Sequence, residues 1–148
     1  MKLLAPVLLA GLMLAPAAHA RVCAIAIDST DQMSFSQKEL KVAADCTQVK
    51  LTLRHTGRLA ATAMGHNWVL TRTADYAPVA MAGMRMTLAD SYLPKGDARV
   101  LAHTPVIGGG QTTSVSFSTA RLSKGGDYTF FCSFPGHFAM MKGRFVFG

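Results

Sequence analysis

Two short stretches hold most of the side chains that could do chemistry. One reads Cys132-Ser133-Phe134-Pro135-Gly136-His137-Phe138-Ala139-Met140-Met141; the other, far upstream, reads Met64-Gly65-His66-Asn67-Trp68. Pro135-Gly136 imposes a turn. One tight loop can therefore aim a thiol, an imidazole and a thioether at a common centre, and His66 supplies a second imidazole. A thiolate is soft, neutral imidazoles suit both copper oxidation states, and a methionine sulfur is a weak, long donor. Two His and one Cys with an axial Met make a trigonal site for one-electron chemistry on copper.

Other uses of these residues fit less well. Cys132 could be a buried free cysteine, a common core occupant, but the Pro-Gly-His-x3-Met sequel argues for ligation. Zinc takes Cys and His readily, yet it favours a fourth Cys, His, carboxylate or water over Met. A catalytic Cys–His pair needs a group to orient its base. No carboxylate lies between Cys132 and Gly148.

The elements that must position these residues are mostly strands. Hydrophobic residues alternate with polar ones: Cys23, Ile25 and Ile27; Val49, Leu51 and Leu53; Val115 and Phe117; Tyr128, Phe130 and Cys132; Phe145 and Phe147. Period two predicts half-buried strands. Gly57, Gly65, Pro94-Lys95-Gly96-Asp97, Gly108-Gly109-Gly110 and Gly125-Gly126 supply the turns between them. Many short strands predict an all-β antiparallel sandwich or barrel. One segment breaks the period. Residues 75–88 carry Tyr76, Ala80, Met84 and Leu88 at helical spacing, with Asp75 placed to cap and Pro78 in the first turn. They predict one short helix inserted between strands.

Residues 1–20 read as an address. Lys2 is followed by 13 apolar residues and then Ala18-His19-Ala20, a small-residue cleavage site. Thirteen residues of helix span only about 20 Å of a roughly 30 Å hydrocarbon core. A secretory signal cleaved after Ala20 fits better than an anchor, which leaves residues 21–148 as one exported domain. Of 15 basic and 8 acidic side chains only Lys2 is lost, leaving a net charge of +6. The basic residues are dispersed, with no run and no aromatic interleaving, which argues against nucleic acid. A basic surface favours acidic partners instead. Three cysteines survive in an oxidising compartment: two can pair, and the third needs another role.

Asp31-Gln32-Met33, Met64-Gly65-His66-Asn67-Trp68, Arg99-Val100-Leu101-Ala102-His103-Thr104 and Phe130-Phe131-Cys132-Ser133-Phe134-Pro135-Gly136-His137 followed by Met141 carry a resemblance. Over residues 21–148 the chain resembles the blue-copper cupredoxin family. The resemblance implies an eight-stranded Greek-key sandwich with a helical flap, matched by residues 75–88. It implies His66, Cys132 and His137 as strong copper ligands, Met141 as the axial sulfur and the Gly65 carbonyl as a weak oxygen donor opposite it. Asn67 would tie two ligand loops together. Backbone N–H groups near Asn67 and Phe134 would bond the thiolate, and Cys23 would pair with Cys46. Met33, Leu59, Met64, Phe134, Phe138, Ala139 and Met140 would form an apolar docking patch around His137. Phe138 departs from the small polar residue that family members often carry there. The implied partners are other redox proteins, such as a c-type cytochrome or a periplasmic oxidoreductase. His55 reads as a structural histidine at a position where relatives often titrate, and His103 as a surface one.

Overall fold

A computed structural model describes residues 20–148. Residues 1–20, expected from the sequence to be a leader, fall almost wholly outside the described residues. No helix among those described is long and apolar enough to cross a membrane.

Among the described residues nine strands form two sheets. In chain order they are β1 (Val22–Thr30), β2 (Ser34–Phe35), β3 (Glu39–Val42), β4 (Gln48–His55), β5 (Val69–Arg72), β6 (Ala102–His103), β7 (Thr112–Ser118), β8 (Tyr128–Phe131) and β9 (Lys142–Phe147). The first sheet runs β2-β1-β4-β7 and the second β3-β9-β8-β5-β6. The expected all-β sandwich is therefore what forms, but its sheets are mixed. β1 pairs parallel to β4, with Cys23 opposite Val49, and β3 pairs parallel to β9. Between β1 and β4 the chain visits the other sheet through β3, and a crossover of that kind can bring a strand back in the same direction.

The alternation places side chains as the sequence predicts along β4, where Val49, Leu51 and Leu53 are buried while Lys50 and Arg54 are exposed. Phe117, Phe130 and Phe145 surround the single tryptophan, Trp68, at ring distances of 5.9, 6.2 and 6.2 Å. β5 and β8 depart from half-burial. Val69 and Phe131 face away from that core and are also fully buried. They lie beneath the helix Thr73–Gly83, with Val79, Ala80 and Leu93, so each of these two strands has an apolar residue on both faces.

The inserted helix is displaced from its expected bounds. A one-turn helix, α1, spans Ala61–Met64, and α2 spans Thr73–Gly83. α2 begins two residues before Asp75, which sits in the first turn without capping; Arg72 holds the cap position. Its inner face is Tyr76, Val79, Ala80 and Gly83, and Met84 is left exposed. The helix stops at Gly83 because the chain folds back there. A Cβ on Gly83 would lie 2.1 Å from the Tyr92 carbonyl oxygen. Leu88 belongs instead to a separate 3-10 turn, Leu88–Asp90.

Cys23 and Cys46 form a disulfide with Cα atoms 5.8 Å apart. Among the described residues Cys132 is the free thiol, and it is buried.

Candidate metal centre

His66 lies between α1 and β5, and backbone pairing fixes it. Its N–H donates to the Ile107 carbonyl at 3.0 Å, and Ile107 N–H returns the bond at 2.9 Å. Gly65 lets α1 close over the site. A Cβ there would fall 2.3 Å from the Ala61 carbonyl oxygen and 2.6 Å from Val106 Cγ1. Cys132 continues the inward side of β8, and residues 132–141 form the loop between β8 and β9. Gly136 adopts φ +82° in that loop, a backbone that glycine tolerates freely. His137 N–H donates to the Phe134 carbonyl at 2.9 Å, Met141 N–H to the His137 carbonyl at 2.8 Å, and Cys132 N–H to the Met141 carbonyl at 3.0 Å. The loop is thus a closed ring of backbone bonds.

Three ligand atoms converge. Cys132 Sγ lies 3.8 Å from both His66 Nδ1 and His137 Nδ1, and the two nitrogens are 3.2 Å apart. The Gly65 carbonyl oxygen is 4.0 Å from the sulfur. Cys132 and His66 are fully buried, and His137 is 4% exposed. The His66 tautomer follows from its other nitrogen. Nε2 sits 2.8 Å from the Thr30 carbonyl, which can only accept, so Nε2 carries the proton and the Nδ1 lone pair faces the cluster.

Burial sets the charge of all three groups. It lowers the His66 pKa to about 4 and lowers that of His137. It pushes the Cys132 thiol up to about 12, against the opposing pull of the Asn67 and Phe134 backbone N–H groups. At neutral pH both imidazoles are uncharged and ready to donate lone pairs. The thiol keeps its proton until a cation displaces it. A sulfur and two neutral nitrogens, buried together within 4.8 Å of one another, fit a soft metal ion that takes thiolate and imidazole.

Asn67 and Ser133 lock the two ligand segments together. Ser133 N–H donates to Asn67 Oδ1 at 2.9 Å, and Asn67 Nδ2 donates to Ser133 Oγ at 2.8 Å. The Phe134 ring lies 4.5 Å from the His137 ring. Met141 is fully buried, whereas its neighbour Met140 is 67% exposed. Met33 and Leu59 are exposed, and Met64 and Phe134 are half-buried. Phe138 turns toward α2 instead, packing near Tyr76 and Phe131. His55 is fully buried and stacks on His66 at 4.5 Å. Its Nε2 donates to the Met64 carbonyl and its Nδ1 accepts from Gly57 N–H. His103 is exposed on β6.

Thr30, Ser91 and Ser133, like Ile107, escaped sequence reading. Thr30 and Ser91 act through backbone carbonyls, which every residue has, so no residue type could flag them. Ser133, next to Cys132, offered the only usable signal.

The model of copper-binding proteins of the plastocyanin/azurin family matches residues 21–148. Azurin of Bordetella pertussis is 54% identical over 121 residues, covering 82% of this chain and 81% of that protein. Azurin-1 of Alcaligenes xylosoxydans xylosoxydans is 51% identical, covering 82% and 94%. Among solved structures, the azurin Az-iso2 of Methylomonas sp. strain J superposes with a TM-score of 0.82 at 42% identity, over 85% of this chain and 98% of that one. Matched by that model over residues 21–148, with a buried Cys and two His converging within 4.8 Å, this chain belongs to the plastocyanin/azurin family of copper-binding proteins.

Proposed function

We propose that residues 21–148 are a periplasmic blue-copper electron carrier, exported by the leader 1–20 and turning over no substrate. The observation that carries this reading is the convergence of Cys132 Sγ, His66 Nδ1 and His137 Nδ1 in a buried pocket. Copper held there supplies one reversible electron, cycling between Cu(I) and Cu(II).

The protein's own residues do the rest. Cys132 gives a thiolate once its proton leaves, and the Asn67 and Phe134 N–H groups hold that sulfur. Burial excludes water. The Asn67–Ser133 bonds and the backbone ring through His137 and Met141 keep the donors in place in both oxidation states, which limits rearrangement on electron transfer. Met141, fully buried where Met140 points to solvent, would supply a thioether sulfur to a bound copper, and the Gly65 carbonyl a weak oxygen donor.

His137, the one of the three converging residues that reaches the surface, would be the route for electrons. Met33, Leu59, Met64, Phe134, Phe138 and Met140 form the apolar docking surface, with Phe138 contributing only the part that α2 leaves uncovered. The net charge of +6 favours acidic redox proteins as partners.

The test is a redox cycle. Residues 21–148 loaded with Cu(II) should show an intense blue band that bleaches with ascorbate and returns with ferricyanide, with no copper lost. A colourless protein that holds only Cu(I), or sheds copper on cycling, would instead indicate a copper chaperone.

A further inference from the structure

The loop after the Leu88–Asp90 turn makes an unusual corner. Ser91 and Tyr92 are consecutive non-glycine residues at φ 54° and 51°. Side chains disfavour that left-handed backbone, and such strain persists only where the surroundings enforce it. Here they do. Ser91 N–H donates to the Leu88 carbonyl and Tyr92 N–H to the Thr87 carbonyl, both at 3.0 Å. Asp90 caps the turn from Thr87 N–H and Oγ1. Leu93, the next residue, is buried under α2. Gly83 leaves room for the Tyr92 carbonyl.

This corner touches both residues whose N–H groups address the Cys132 sulfur. The Ser91 carbonyl accepts from Asn67 Nδ2 at 3.2 Å and from Ser133 Oγ at 2.7 Å, using both of its lone pairs. The Tyr92 ring packs edge-on against the Phe134 ring at 5.2 Å. Phe134 in turn lies against His137.

We infer that the Ser91–Tyr92 corner is a positioning element for the metal centre, setting the two hydrogen bonds to the Cys132 thiolate and so tuning its reduction potential. The inference rests on the copper reading above. Hydrogen bonds withdraw electron density from a thiolate, and Cu(II) depends on that density more than Cu(I) does. Loosening the corner therefore favours Cu(II) and lowers the potential. The strain at Ser91 and Tyr92 is the cost of bringing a third loop onto the two that carry ligands. None of the three residue types at 90–92 marks this role in the sequence.

The test compares Tyr92→Ala, Tyr92→Leu and Tyr92→Phe with the parent. Tyr92→Phe keeps the ring and is the rescue control. Gly83→Ala disturbs the corner from outside the site. In the copper-free protein, amide exchange at Phe134 should be about three- to tenfold faster in Tyr92→Ala and Tyr92→Leu, the change that losing an ordinary aromatic pair corresponds to. Exchange in β4 should not change. In the copper-loaded protein the same variants and Gly83→Ala should have a lower reduction potential and a shifted blue band. Tyr92→Phe should match the parent in both.

Should Tyr92→Ala fail to fold, Tyr92→Leu decides. Variants that lose thermal stability while keeping the parent's Phe134 exchange or the parent's potential would reduce the corner to a structural turn and overturn the inference. A parent protein with no blue band would overturn the copper reading instead, and the exchange measurement would still report on the corner.

Discussion

At the scale of single residues, the site works because three groups are held in the protonation states that burial dictates. His66 titrates at about 4 instead of 6.5, and Cys132 at about 12 instead of 9.0. Linkage turns these shifts into stability. Between pH 6.5 and 4 the unfolded chain binds a proton that His66 in the fold refuses, so lowering the pH through that window destabilises the copper-free protein. Between pH 9 and 12 the fold keeps a thiol proton that the unfolded chain loses, so raising the pH destabilises it as well. Urea midpoints of the copper-free protein should therefore be highest between about pH 6.5 and 9. A midpoint that rises as the pH falls from 6.5 to 4 would contradict these assignments. Met141 and Met140 separate just as cleanly. Met141→Leu should raise the reduction potential of the copper protein by removing a donor that helps Cu(II), while Met140→Leu, at an exposed position, should leave it nearly unchanged. Equal shifts would place the axial sulfur wrongly. The cluster of His66, Cys132 and His137 was legible in the sequence because a soft metal demands particular atoms, and Cys and His are residues that carry them. The carbonyls of Thr30 and Ser91 were not, since their chemistry belongs to the backbone.

At the scale of elements, the strands were legible wherever one face meets solvent. β4 alternates because Lys50, Thr52 and Arg54 face outward. β5 does not, since Val69, Leu70 and Thr71 are all buried beneath either the sandwich core or α2, and a doubly covered strand leaves no period to read. The helix was legible as helix but not in its bounds. Its inner face is set by contact with β5 and β8, and its end by the Tyr92 carbonyl at Gly83. Parallel pairing of β1 with β4 was equally silent, because alternation records which face is buried and not which way a neighbour runs. β5 also carries a buried hydroxyl, Thr71 Oγ1, with no hydrogen-bond partner among the described residues. Thr71→Val removes that unpaired group at nearly constant volume. It should leave the unfolding midpoint unchanged or raise it, and a loss of more than about 1 kcal/mol in chemical denaturation would mean the hydroxyl is satisfied in solution.

At the scale of the whole molecule, the sandwich is a rigid frame with the metal centre under one set of loops. The frame joins β5 and β8 in one sheet, which brings His66 and Cys132 together from opposite halves of the chain. The Cys23–Cys46 bond ties the start of β1 to the entry of β4 and leaves Cys132 as the free thiol. Met64→Glu, at a half-buried position two residues before His66, should slow electron exchange with a redox protein without changing the blue band. An unchanged rate would move the docking surface elsewhere. The central claim is that His66, Cys132 and His137 hold one copper through a thiolate bond. It is tested most directly by titrating copper-free residues 21–148 with Cu(II) and following the visible spectrum, beside the Cys132→Ala variant. An intense blue band should saturate at one copper per chain and be absent from Cys132→Ala. A band that survives in Cys132→Ala, or a parent that binds copper without colour, would contradict it.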